Sequence, residues 1–120
     1  MKHKTIRNHR DFLIAPDDVH GFFVRTDCFI VKTKSTKKYG DNKYGIIVTK
    51  RTFKLAVQRN RAKRLLRDWI AFNEDLMLPD LDYVFITRFP ILNCNRKNGR
   101  EMVYQAFKEI TKLYDKNVKK

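Results

Sequence analysis

Between Lys50 and Arg67 the chain carries eight Lys or Arg side chains in eighteen residues and no acid. Charge of one sign at that density suits neutralisation of a polyanion's phosphates rather than bond-making. Apolar residues interrupt the run at helical spacing. Projected at ~100° per residue, Leu55, Ala62, Leu65, Leu66 and Trp69 form one stripe. Arg59, Asn60, Lys63, Arg64 and Arg67 gather on the opposing side, and Arg61 and Asp68 fall to the flank. At a rise of 1.5 Å per residue the basic group spans ~12 Å, the reach of two or three successive phosphates. A merely solvated charged face is the competing reading. Against it stand the absence of acids within the run, the excess of Arg, whose planar fork suits phosphate, and Asn60, a poor helix former whose amide can serve a sugar or base.

The other residues capable of chemistry are scattered. Cys28 and Cys94 form no Cys-x-x-Cys pair and read as two free thiols, one of them buried. His3, His9 and His20 stand apart, so no zinc site is expected. Asp11, Asp17 and Asp18 are close in sequence but read as cap and turn residues. We find neither the clustered carboxylates of two-metal hydrolysis nor a His pair for acid–base cleavage, so no catalytic residue and no metal site are expected.

These residues need a scaffold. A chain of 120 residues, 42% apolar, is sized for one domain with a modest core, taken as 1–120 with basic, flexible ends at 1–9 and 116–120. Its net charge is +14, from 27 Lys and Arg against 13 Asp and Glu. No run of about 18 apolar residues is present, and the N-terminus lacks the apolar stretch of a signal peptide. A cytoplasmic protein without membrane contact is expected.

The pattern predicts a short helix over Arg10–Ala15, strands at Phe22–Val24, Cys28–Thr33 and Tyr44–Thr49, and the basic helix from about Thr52 to Phe72. A loop at Leu76–Asp82, a central strand at Tyr83–Ile86 and a polar loop at Asn93–Gly99 follow. A closing helix runs from about Arg100 to Asp115, with Val103, Ala106, Phe107, Ile110, Leu113 and Tyr114 inward. The order α-β-β-α-β-α argues an α+β fold, an α/β sandwich with a small sheet of about four strands.

The segment Lys50-Arg51 … Ala56-Val57-Gln58-Arg59-Asn60-Arg61-Ala62-Lys63-Arg64-Leu65-Leu66-Arg67 resembles the signature of the bacterial ribonuclease P protein subunit, Arg-Asn-Arg-x-Lys-Arg-x-x-Arg after an Ala-Val pair and a strand ending in two basic residues. The likeness extends to the strands Gly45–Lys50 and Asp82–Arg88, to Asp11-Phe12 and to the closing helix. It implies the protein cofactor of an endoribonuclease whose RNA subunit removes the 5′ leader of precursor tRNA. That RNA holds the Mg²⁺ and does the chemistry; the protein alone holds no cofactor. The implied partners are the catalytic RNA and the precursor tRNA leader, with the protein a monomer in the holoenzyme. Lys50, Arg51, Arg59, Asn60, Arg61, Lys63, Arg64 and Arg67 are implied to contact the catalytic RNA. A cleft between the basic helix and the sheet is implied to hold the leader. Phe12 is its best-matched aromatic, while Phe29 and Val31 lie on a strand face that is either cleft or core. A left-handed βαβ crossover is implied for Tyr44–Arg88.

This chain departs from the family pattern at Lys54, where Gly is usual and where the helix is open to lengthening. Pro16-Asp17-Asp18 interrupts the region that usually continues a helix with a second aromatic, so that Phe22 or Phe23 stands in the cleft instead. Lys32 occupies a position where an aromatic is common. A basic ribosomal or other structural RNA-binding protein is the alternative.

Overall fold

The structure, a computed structural model, describes residues 3–7 and 12–118. Strand β1 is Lys4–Thr5, β2 is Phe23–Arg25, β3 is Phe29–Ser35 and β4 is Lys43–Ile47. Helix α1 (Ala56–Phe72), strand β5 (Leu81–Thr87) and helix α2 (Arg96–Val118) follow, with 3-10 turns at Glu74–Leu76 and Phe89–Asn93. The five described strands lie in the order β1-β4-β5-β3-β2. This is an α+β fold, with one strand more than the sequence pattern gives.

Alternation sorts the sheet into two faces. Register pairs Phe29 with Thr87, Val31 with Phe85 and Thr33 with Tyr83, so these residues share a face. Tyr44 and Ile46 of β4, opposite Tyr83 and Phe85, join them. Both helices cover this face. Phe107 of α2 packs edge-on against Tyr83 and Phe85, at ring separations of 5.1 and 6.0 Å, and Phe29 meets Phe85 at 5.5 Å. Val103, Ala106, Phe107 and Ile110 complete the buried stripe of α2 at the expected spacing. The intervening residues of β5, Val84 and Ile86, point to the opposite face, which no helix among the described residues covers. That double apolarity is why β5 reads as a central strand, and it is one. β4 and β5 are parallel neighbours joined through α1.

Four expectations change. Phe12–Ala15 are not in an α-helix; Arg10 and Asp11 lie outside the described residues. At the expected flexible ends, Lys4–Thr5 pairs in parallel with Lys43–Tyr44, Ile6 is buried, and Lys116 and Asn117 continue α2. The basic helix begins at Ala56, so Lys54 does not extend it. Finally, α2 starts at Arg96, because the Asn95 side chain accepts the Asn98 N–H at 2.8 Å and caps a turn that the Asn-rich sequence presents as loop. Gly99 in that first turn lets α2 settle on Trp69: a Cβ there would lie 2.0 Å from the indole. Asn73 locks the same junction, its amide donating to the carbonyls of Trp69 and Arg100, both at 2.9 Å.

Candidate nucleic-acid interface

The basic surface has two parts. The first is a tight turn after β4. The Phe53 N–H donates to the Thr49 carbonyl at 2.9 Å, and the Thr49 and Thr52 hydroxyls meet at 3.1 Å. Lys50 and Arg51 project from this turn, both exposed. Phe53 anchors it, fully buried and stacked on Phe89 at 5.8 Å.

The second part is α1. Ala62, Leu66 and Trp69 are buried as projected, joined by Ile70, while Leu65 is half-buried. Leu55 is 57% exposed, not part of the stripe. It precedes the helix, so the projection does not apply to it, and Phe53 supplies the buried anchor instead. Gln58 steadies this end by accepting the Leu55 N–H through its side-chain carbonyl at 3.3 Å.

Asn60, Arg61, Arg64 and Arg67 are exposed, and Arg59 and Lys63 are half-exposed. Arg59 differs from the rest: its Nη1 donates to the carbonyls of Phe53 and Lys54 at 2.7 and 3.2 Å. It therefore clamps the turn to the helix while remaining at the edge of the face. Arg67 lies beside Tyr44. Burial holds the Tyr44 hydroxyl above its ordinary range, and the nearby guanidinium pulls the other way. Among the described residues no carboxylate pairs with Arg59, Arg61, Lys63, Arg64 or Arg67. Asp68 stands four residues after Arg64, but its carboxylate turns to α2, meeting Arg100 at 3.1 Å and Arg96 at 3.8 Å. The face thus keeps its charge.

A groove of about 460 Å³ lies on the other face of the sheet. Ile47, Val84 and Ile86 form its floor; Phe12, Phe23 and Lys32 stand around it. Phe12 fits only because residue 45 is Gly: a Cβ would lie 2.4 Å from its ring. Phe23 is 54% exposed, and the Lys32 ammonium sits 5.9 Å from its ring centroid. The aromatic-rimmed groove therefore lies between the 12–23 segment and the sheet, away from the basic helix. Phe29 and Val31 are fully buried on the helix side, so they belong to the core and do not line it.

The chain matches the family model Ribonuclease P over residues 1–111. It belongs to the ribonuclease P protein family. The ribonuclease P protein component of Lactobacillus delbrueckii subsp. bulgaricus is 32% identical over 87 residues, covering 72% of this chain and 70% of that one. That of Pseudomonas entomophila is 50% identical over 44 residues, and this chain spans about a third of its length (32%). Among solved structures, the RNase P protein of Staphylococcus aureus superposes with a TM-score of 0.68 at 24% identity, covering 93% of this chain and 98% of that one. That of Thermotoga maritima gives 0.72 at 23%, covering 89% and 97%. At these identities the two structures establish the shared fold.

Within this ribonuclease P protein, the floor residues Ile47, Val84 and Ile86 are groove residues that pattern reading did not single out, and Lys32, noted there only as a departure from an aromatic, stands beside them. A signal exists: β5 is apolar on both faces, although its two helices cover one. The pairing of Phe23 with Lys32 across β2 and β3 then sets an aromatic and a cation side by side. Cys28 and Cys94 are free thiols, Cys28 buried and Cys94 partly so.

Proposed function

We propose that the chain is the protein subunit of the ribonuclease P ribonucleoprotein, assisting an RNA that removes the 5′ leader from precursor tRNA. The observation that carries this is the unneutralised face of α1, continued by Lys50 and Arg51 at the end of β4. Three or more Arg and Lys side chains fixed by one rigid helix match a folded RNA backbone and gain affinity through counterion release. The roles then divide. Asn60, Arg61, Lys63, Arg64 and Arg67 hold the catalytic RNA, and Arg59 fixes the geometry of the Lys50–Arg51 turn. The groove takes single-stranded leader, with bases stacking on Phe12 and Phe23 and Lys32 near the backbone, a chemistry tolerant of sequence. Mg²⁺ is held by the RNA, which performs the hydrolysis. The protein acts in the cytoplasm as a monomer within the holoenzyme; among the described residues no helix is long and apolar enough to cross a membrane.

Reconstitution tests this. Purified protein, the cognate catalytic RNA and precursor tRNA at low Mg²⁺ should give leader cleavage well above that of the RNA alone. Cleavage by protein without RNA would overturn the cofactor role, and failure to activate the RNA would overturn the subunit assignment.

A further inference from the structure

Phe72 and Tyr104 are large side chains left open, 63% and 38% exposed. They line a hollow of about 480 Å³ where the end of α1 meets the first turns of α2, far from the groove on the opposite sheet face. The Arg100 guanidinium lies 4.3 Å from the Phe72 ring centroid. Its Nε and Nη2 donate to the two oxygens of Asp68 at 3.2 and 3.1 Å, which fixes its plane. Arg96 and Lys97 stand at the wall of the same hollow. The Arg96 side chain is 74% exposed despite its 3.8 Å approach to Asp68. Lys97 has no carboxylate partner among the described residues. The lining holds three cations against one carboxylate, Glu101, and with Asp68 counted behind Arg100 and Arg96 one positive charge remains in excess.

A flat aromatic wall beside a pinned guanidinium stacks a planar ring, and two exposed cations at the rim suit a phosphate on either side of it. The charge balance disfavours a cationic occupant. Continuity favours RNA. Arg61, Asp68 and Phe72 follow at intervals of seven and four along one flank of α1, so the hollow lies ~16 Å beyond Arg61 along the helix that carries the basic face. We infer that this hollow is a further RNA site, distinct from the basic face and the groove, taking one unpaired nucleotide with its base against Phe72 and Tyr104 and its phosphates on Arg96 and Lys97. It rests on the RNA-binding role proposed above.

The probe is a fluorescein-labelled octauridylate carrying 4-thiouridine, measured by anisotropy and by photocrosslinking with mass-spectrometric mapping on the full chain. Crosslinks at Phe72 or Tyr104 are expected, and they should disappear in the variant Phe72→Leu/Tyr104→Leu, which keeps apolar bulk without the rings. Affinity should fall about 5-fold or more, the low end of one lost base stack. The exposed pair Arg96→Gln/Lys97→Gln should lower affinity and flatten the salt slope by about two counterions. This second variant decides the matter if the first does not fold. Crosslinks confined to α1 or the groove, with affinity unchanged in both variants, would overturn the hollow and leave RNA binding intact. Absence of binding by the unsubstituted chain would overturn both. Weakened binding of an oligoglutamate peptide in Arg96→Gln/Lys97→Gln, without RNA crosslinks in the hollow, would overturn it in favour of an acidic protein partner.

Discussion

Gly99→Ala puts the seating of α2 on Trp69 to a direct test. In an unconstrained helix this change adds about 1 kcal/mol of stability through propensity. Here the new methyl would lie 2.0, 2.2 and 2.5 Å from three indole carbons of a fully buried side chain. Ordinary contact begins at 3.4 Å, so the nearest pair is short by 1.4 Å (3.4 − 2.0). Nothing near it is free to yield, since Asn73 ties the carbonyls of Trp69 and Arg100 together. Overpacking costs about 1–3 kcal/mol and occasionally more. With several close contacts the cost belongs at or above the upper end, and subtracting the propensity gain leaves a loss of about 2–3 kcal/mol. For a domain of this size that is a fall of roughly 8–12 °C in Tm, read by circular dichroism on the purified chain. The clash should also be relieved by shrinking its partner. In a Trp69→Leu background, Gly99→Ala should cost at least about 1 kcal/mol less, a coupling that contacting residues show and distant ones do not. An unchanged or raised Tm for Gly99→Ala, or purely additive effects, would refute the packing argument.

Other perturbations separate charge, groove and core. Arg64→Ala or Arg67→Ala should weaken association with the catalytic RNA and reduce the log–log salt slope by about one each, measured by filter binding over a salt series. Unchanged slopes would mean that the face is only solvated. Phe23→Ala should lower affinity for precursor tRNA relative to leaderless tRNA by about 1–3 kcal/mol in reconstituted holoenzyme. Phe29→Ala should instead lower stability by about 3–5 kcal/mol, read as a fall in Tm, because its ring is core. Equal leader effects from both would contradict the assignment of faces. Burial pushes the Cys28 thiol from 9.0 to about 12, with Cys94 adding to the rise. The folded state therefore keeps a proton that the unfolded chain loses above pH 9, so stability should fall as pH rises from 9 towards 12. Cys28→Ala should make that fall shallower by about one proton in pH-dependent melting; an identical slope would remove Cys28 as its source.

Much of this architecture was legible because it repeats. The 3.6-residue period separates Ala62, Leu66 and Trp69 from Asn60, Arg64 and Arg67, and alternation puts Phe29, Val31 and Thr33 on one face. What failed has no period. Lys4–Thr5 is two polar residues whose strand character comes from pairing with β4. Asn93–Gly99 looks like a loop by composition, yet Asn95 caps a helix within it. Alternation also divides a strand into faces without naming the buried one. With β5 apolar on both sides, whether Phe29 or Val84 lies beneath the helices depends on where they dock. The groove that Phe12 lines accordingly lies on the sheet face away from the basic helix, which alternation alone does not select.

The absence of a side chain at Gly45 makes the two proposed RNA surfaces separable. Position 45 is buried in β4, on the face away from the basic helix, and the Phe12 ring occupies the space that any larger residue would claim. A valine there suits a strand and leaves the α1 face untouched, but it evicts one wall of the groove. On the roles proposed above, one substitution should disable leader holding while preserving RNA assembly, a division of labour that no change among the clustered arginines would reveal.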